Sequence, residues 1–408
     1  MRRNVVFYSP HFGEMTLRFI YPLRQLPDLN LIALSADRTD YLASLNLFDE
    51  VYSVQNALDY RQLEQAIADL QDEYEIHALL NILEELQLPI SQLREQFHLP
   101  GMHTEMARRF RDKAYMKEIL REHGIRCTAF QQIDSYSAAE AFVETHGFPV
   151  VLKPVRGAGT ISTFLINSWA ELQAHCNLEQ LSRYPVMLEQ FIDGEEGSFD
   201  TITIDGQIHF YSMTHYEPNP LHAMNNSWIQ SIYSFAKDHP DSEEYADLRQ
   251  AGVATINALG LDTSITHMEW FRHRKTGDIY VSEIAARPSG DRILGLHNYG
   301  HDINLYAEWG KTMVFGQTDL RPDQPRLYDV AICFLRAQGS GQHIQEIYGL
   351  EKVHQTVGHL IVAEDIAPVG TLRQHSYVGE SNIFVRGTDY QEVMDAARFI
   401  IDTIRIYC

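Results

Sequence analysis

The strongest constraint on the fold is the alternation of short apolar runs with amphipathic stretches through the first hundred residues. Residues 4–8, Asn-Val-Val-Phe-Tyr, form an apolar run, and 14–26 carry apolar side chains at helical spacing. Strand signals return at 29–34, 49–54 and 76–82, and residues 60–71 place Leu63, Ala66, Ile67 and Leu70 on one helical face. Strands alternating with helices predict a parallel, doubly wound sheet, because parallel neighbours need a crossover to connect them. Arg2 and Arg3 lead into a short, polar-interrupted run, which reads as a first strand and not as a signal peptide.

The pattern then changes. After the turn Leu99-Pro100-Gly101, two helical segments run to Gly124, a C-cap. A smaller unit follows, with strands at 129–133, 149–153, 163–167 and 186–190, a helix at 137–146, and a second helix from Trp169 that Ser168 can cap. Residues 195–315 mix antiparallel hairpins with at least one helix near 243–259. Arg321-Pro322-Asp323-Gln324-Pro325 reads as a linker, and short strands beyond it end in a helix at 390–403. The expected class is therefore α/β and α+β in one chain. Its units are a doubly wound domain at 1–100, linking helices at 101–128, a small domain at 129–192, a large mixed domain at 193–320 and a β-rich domain at 321–408.

Charge narrows the partners. With 33 Lys and Arg against 55 Asp and Glu, the formal charge is −22, which disfavours nucleic acid and anionic membranes. No stretch approaches the ~18 consecutive apolar residues of a membrane span. Cys127, Cys176, Cys333 and Cys408 are far apart and form no CxxC, as expected of reduced thiols in a cytoplasmic protein. A local basic pocket for a small anion is still compatible with this balance.

Three constellations carry chemistry. In the first, the run Phe148-Pro149-Val150-Val151-Leu152-Lys153-Pro154 delivers a lysine, and Gly157, Gly159 and Thr160 follow in a loop. Backbone N–H groups of such a loop can close over phosphate oxygens. It is not a Walker loop, since the lysine precedes the glycines. Alone, a surface hairpin with an incidental lysine explains it equally well. In the second, Glu189, Gln190 and Ile192 end a strand whose edge could read adenine, and Glu196 stands seven residues after Glu189. Alone, a solvated strand end is the simpler account.

The third constellation says most. Runs 265–274 and 278–286 flank Lys275-Thr276-Gly277, and a three-residue loop with αL glycine puts Arg274 opposite Asp278. In that register Glu269 faces Glu283, with His267, Phe271, Val281, Ala285 and Arg287 on the same face. Opposed carboxylates destabilise a hairpin unless positive charge lies between them, and Mg²⁺ shared with phosphate oxygens would supply it. Arg287 is then aimed towards the metal and could hold a carboxylate or an acyl phosphate. An exposed hairpin with solvated charges is the alternative, and a one-residue slip would separate the two glutamates.

In this order the motifs resemble the ATP-grasp superfamily, and within it the carboxylate–amine ligases of the L-amino acid ligase and carnosine synthase-like type. The segment Arg111-Asp112-Lys113-Ala114-Tyr115-Met116-Lys117 and the ending Glu283-Ile284-Ala285-Ala286-Arg287 complete the resemblance, which covers nearly the whole chain. It implies an ATP-grasp fold with a pre-ATP-grasp domain, a small lid at 129–192, a catalytic domain at 193–320 and a C-terminal β-rich domain. It implies ATP and Mg²⁺, with Mn²⁺ as a substitute. Lys113 and Lys153 would bind phosphates under the loop of Gly157, Gly159 and Thr160. Glu189, Gln190 and Ile192 would contact adenine, with Glu196 on the ribose. Glu269 and Glu283 would ligate the metal, and Arg287, with Lys153, would serve catalysis. Ala285 stands where many members have Asn, which leaves the second metal's ligands open.

Ser289, Gly290 and Asp291 follow Arg287 into a turn where related ligases line the substrate pocket, although a cap on the helix at 292–296 is the simpler account of Asp291. His209, His215 and His222 are assigned no role. The resemblance implies a ligase that activates a carboxylate as an acyl phosphate for attack by an amine. Its partners would be small molecules, and a homodimer is allowed. A biotin carboxylase-like or purine-pathway enzyme and a non-catalytic ATP-binding protein are the rival readings.

Overall fold

The computed structural model describes residues 2–155, 163–175, 186–374 and 376–408, with the side chain of residue 291 outside that description. The first strand, Arg3–Tyr8, is buried on both faces. Val5 and Phe7 enter one core with Phe19, Ile20 and Leu23, while Val6 and Tyr8 enter another with Leu63, Ile67 and Leu70. Two apolar faces are what a parallel sheet under helices requires, and they explain a continuous apolar run instead of alternation. Four parallel strands form this sheet in the order Glu50–Ser53, Leu29–Ser35, Arg3–Tyr8, Ile76–Leu80. The helix Tyr60–Glu73 starts at Asp59, whose carboxylate accepts from the N–H groups of Arg61 and Gln62.

Residues from Phe130 to Gln190 build an antiparallel sheet in the order Phe130–Ile133, Val186–Gln190, Val150–Pro154, Phe164–Ile166. Its core collects Ile133, Phe142, Val150, Leu152, Ile166 and Leu188. Ser168 Oγ accepts from the N–H of Glu171, as the expected cap for the helix Trp169–His175.

An eight-stranded antiparallel sheet carries most of the remaining chain. Its order is Ile279–Ala285, Ser264–His273, Gly194–Ile204, Gln207–Glu217, Ser231–Phe235, Asp329–Leu335, Ser381–Gly387, Ile361–Asp365. Residues beyond the linker thus continue the same sheet, with Asp329–Leu335 paired to Ser231–Phe235. Helix Leu305–Phe315 fastens this body to the parallel sheet, where Trp309 packs edge-on against Phe7 and Phe19. No helix among the described residues is long and apolar enough to cross a membrane. The described cysteines, Cys127, Cys333 and Cys408, are free.

Candidate active site

A cavity of about 360 Å³ opens between the small sheet, the large sheet and the segment Ile82–Glu85 that follows the parallel sheet's last strand. Asp112 ends the helix Thr104–Arg111 and caps the helix Lys113–Glu122 by accepting from the N–H of Tyr115 at 3.1 Å. This back-to-back junction puts Lys113 at a helix start on the cavity wall. Lys117, one turn on, points the same way but is fully buried. Lys153 comes from the strand Val150–Pro154 and Glu189 from its neighbour, Val186–Gln190. In the ladder Val151 faces Glu189 and Lys153 faces Met187, so Lys153 and Glu189 are diagonal on one face.

Glu189 is the hub of a buried network. Its Oε1 lies 3.0 Å from Lys117 Nζ and 2.9 Å from Lys153 Nζ, and its Oε2 accepts from Thr128 Oγ1. Burial works to raise its pKa, but the two lysines outweigh this and hold it below the usual carboxylate range. Lys153 is correspondingly raised, since Glu189 and Glu283 outweigh its own burial, whereas for Lys117 burial prevails and lowers it. Glu189 lines the cavity with its carboxylate committed to the lysines, and the adenine contact expected of this strand end is one of its main chain.

Glu269 and Glu283 do face each other in the ladder, as do His267 and Ala285. Nearer the turn the register differs from expectation. His273 N–H donates to Asp278 C=O at 2.9 Å, so the loop holds four residues, and Phe271 pairs with Tyr280 instead of Val281. A bulge at Ser282 absorbs the extra residue and restores the carboxylate pair. Gly277 does take the left-handed conformation, at φ +72°. Positive charge lies beside the pair, as the electrostatics demand, and lysine supplies it: Glu283 Oε2 is 2.6 Å from Lys113 Nζ and 3.7 Å from Lys153 Nζ. Burial would raise Glu283, yet these lysines hold it down at about 2.

Hard divalent cations take oxygen ligands. Glu269 and Glu283 line the same cavity with side chains 28% and 23% exposed, which fits such an ion when phosphate oxygens complete its shell. Among the described residues no three acids, histidines or cysteines are grouped to hold an ion alone. Glu196 also lines the cavity, and burial with the nearby Glu269 raises its pKa well above the ordinary value.

Arg287 lines the cavity while its Nε and Nη2 donate to Glu84 Oε2 at 3.0 and 2.7 Å. Glu84 Oε1 accepts from Arg111 at 2.8 Å. Ser289 and Gly290 are on the wall, and the buried Ser289 hydroxyl has no hydrogen-bond partner among the described residues. Gln190 and Ile192 are on the wall too. Gly157, Gly159 and Thr160 lie outside the described residues, as does the Asp291 side chain, although residue 291 does begin the helix Asp291–His301.

Sequence reasoning missed Glu84, and it overlooked the load on Lys117. It also missed Asp200, which accepts from His267 Nδ1 at 2.6 Å and pairs with His297 Nε2 at 2.9 Å. Burial lowers His267, but Asp200 outweighs it and raises the imidazole to about 9. The available signals were the Glu84-Glu85 pair just past a strand end and the His-x-Glu spacing at 267 and 269. His209, His215 and His222 are not among the lining residues. His215 packs against His239, Tyr245 and Trp270, with burial pushing it down to about 3.

Residues 118–301, which hold the small sheet and the carboxylate hairpin, match the ATP-grasp domain family. This stretch of the chain is similar to an ATP-grasp domain. The L-arginine-specific L-amino acid ligase of Bacillus subtilis is 26% identical over 264 residues, 63% of this chain and 62% of that protein. The N-terminal section of the carbamoyl phosphate synthase large chain of Aquifex aeolicus is 24% identical over 215 residues, 51% of this chain and 38% of that section. The chain thus spans less than two thirds of the length of these curated relatives. Similarity of fold extends over the whole chain. The crystal structure of an L-amino acid ligase from Bacillus licheniformis superposes with a TM-score of 0.78 at 18% identity, covering 99% of this chain and 98% of that one. N5-carboxyaminoimidazole ribonucleotide synthetase from Thermotoga maritima gives 0.68 at 17% identity and 99% coverage of both.

Proposed function

We propose that the protein is an ATP-dependent carboxylate–amine ligase that activates an amino acid or other small acid as its acyl phosphate. The observation that carries this reading is the convergence on one cavity of Lys113, Lys153, the opposed Glu269 and Glu283, and Arg287. The L-amino acid ligases among its relatives support the amine acceptor.

Lys113 and Lys153 would neutralise phosphate oxygens. Gln190, Ile192 and the main chain of Glu189 would hold adenine, with Glu196 towards the ribose. Glu269 and Glu283 would ligate Mg²⁺ or Mn²⁺, which when bound spreads phosphoryl charge. Ala285 offers no side-chain oxygen for a second ion. Carboxylate oxygen is a poor leaving group at neutral pH, so transfer of the γ-phosphoryl group to it makes phosphate the group that departs when the amine attacks. Arg287, steadied by Glu84, would hold the acyl phosphate, and the unpaired Ser289 hydroxyl with Gly290 and Asp291 would meet the substrate. The work of the chain is positioning and charge neutralisation. The small sheet at 129–192 would act as the lid that excludes water.

We place this reaction among small molecules in the cytoplasm, in keeping with the free cysteines. Phosphate release measured across a matrix of amino acids and small carboxylates, with mass spectrometry of products, tests it. Release that needs both an acid and an amine is expected. Release that needs bicarbonate, or ignores the amine, would reject the ligase reading.

A further inference from the structure

Charged groups at the cavity form a chain of alternating sign: Lys117, Glu189, Lys153, Glu283 and Lys113, with successive separations of 3.0, 2.9, 3.7 and 2.6 Å. The chain starts and ends on one helix, which carries Lys117 and Lys113, and crosses to another unit between them. Lys153 and Glu189 sit on the small sheet, whereas Lys113 and Glu283 sit on the helix and hairpin of the body. Glu283 is therefore shared: the carboxylate proposed to hold a cation is bonded to lysines proposed to hold phosphate.

Both ammonium groups reach Glu283 through Oε2, so a cation approaching this pair competes with them for the carboxylate charge. Two carboxylates also provide only part of the oxygen shell that a hard ion takes. A phosphate group attracts the same ammonium groups through charge-assisted hydrogen bonds. We propose that these partners are exchanged on binding: entering phosphate oxygens take Lys113 and Lys153 from Glu283, and only then does Glu283 open to the cation. The inference rests on the nucleotide-binding reading above. It makes nucleotide and metal mutually dependent, because a coupling of this kind tightens both ligands by the same factor. It also draws Lys153, and with it the small sheet, onto the nucleotide.

The experiment uses Mn²⁺ as a paramagnetic probe of the full chain, titrated by electron paramagnetic resonance without nucleotide. Lys113→Met should raise the Mn²⁺ affinity by about tenfold, the scale of one charge-assisted bond removed from a carboxylate. Lys113→Arg, which keeps the charge, should leave it at the wild-type level. An affinity in Lys113→Met equal to or below wild type overturns the exchange. A second measurement needs no variant. With ¹⁵N-labelled lysine, the Lys113 Nζ resonance should shift when ADP is added without metal, and an unmoved resonance while calorimetry shows ADP bound also overturns it. Absence of any nucleotide binding in calorimetry would instead defeat the ligase reading, and the Lys113→Met result would still decide whether lysine blocks the cation.

Discussion

Lys117→Met is the sharpest test of the buried network. Lys117 is fully buried, its Nζ is 3.0 Å from Glu189 Oε1, and it also bonds the Thr128 hydroxyl. Leaving a buried charge alone costs about 3–5 kcal/mol. Glu189 would keep Lys153 at 2.9 Å, which roughly halves the loss to about 2 kcal/mol. Urea denaturation of wild type, Lys117→Met, Glu189→Gln and the double variant gives the coupling directly, and about 1.5–3 kcal/mol is expected. The pH sign follows from Glu189, whose folded pKa is depressed. Its contribution is present above the ordinary carboxylate range and is lost as pH falls through the folded value, so the Lys117→Met penalty should shrink on acidification. Additive single variants, or a penalty below about 0.5 kcal/mol at neutral pH, would refute the network as a source of stability.

Glu283→Gln should lower stability by about 1–2 kcal/mol without nucleotide, because two lysines lose a partner, and should abolish metal-dependent turnover. A thermal melt checks the first half; a gain in stability would mean that repulsion from Glu269 outweighs the lysines. Glu84→Gln should loosen Arg287 and cut kcat by about tenfold or more with KM for ATP little changed, and equal losses in both would argue against a positioning effect. His267, raised to about 9 by Asp200, stabilises fully below its ordinary value near 6.5, and that contribution is lost as pH climbs towards 9. Denaturation curves of wild type should weaken over that window by roughly 1–3 kcal/mol, and Asp200→Asn should flatten the slope.

What could be read from the chain follows the distance over which its interactions act. The strand at 186–190 and the helix at 390–403 have the expected limits, since run length and helical spacing are local properties. The carboxylate pair was legible because a glycine turn sets the register of a short hairpin, although a four-residue loop and a bulge reach that register by another route. Arg287 and Glu84 stand 203 residues apart, and His297 and Asp200 stand 97 apart. No periodicity relates such positions. Burial of Lys153 was equally hidden, because a lysine at a strand end reads as exposed until Glu189 is known to lie beside it. The return of the chain after residue 325 into the eight-stranded sheet rests on pairing with Ser231–Phe235, again a partner remote in sequence.

That return has a consequence for synthesis. Strand Ile361–Asp365 is the outer strand of the large sheet, and its ladder partner is Ser381–Gly387, which itself pairs with Asp329–Leu335. A ribosome releases the outer strand before the strand that must slot between it and the rest. Until residue 387 has emerged, Asp329–Leu335 presents an open, wholly buried-type edge to solvent and to other chains. The carboxylate hairpin can close long before, so nascent chains should acquire that edge early while remaining sticky at the opposite one. Arrest after residue 350 would therefore yield a species prone to strand-to-strand association, and it is the emergence of Ser381–Gly387 that covers this edge.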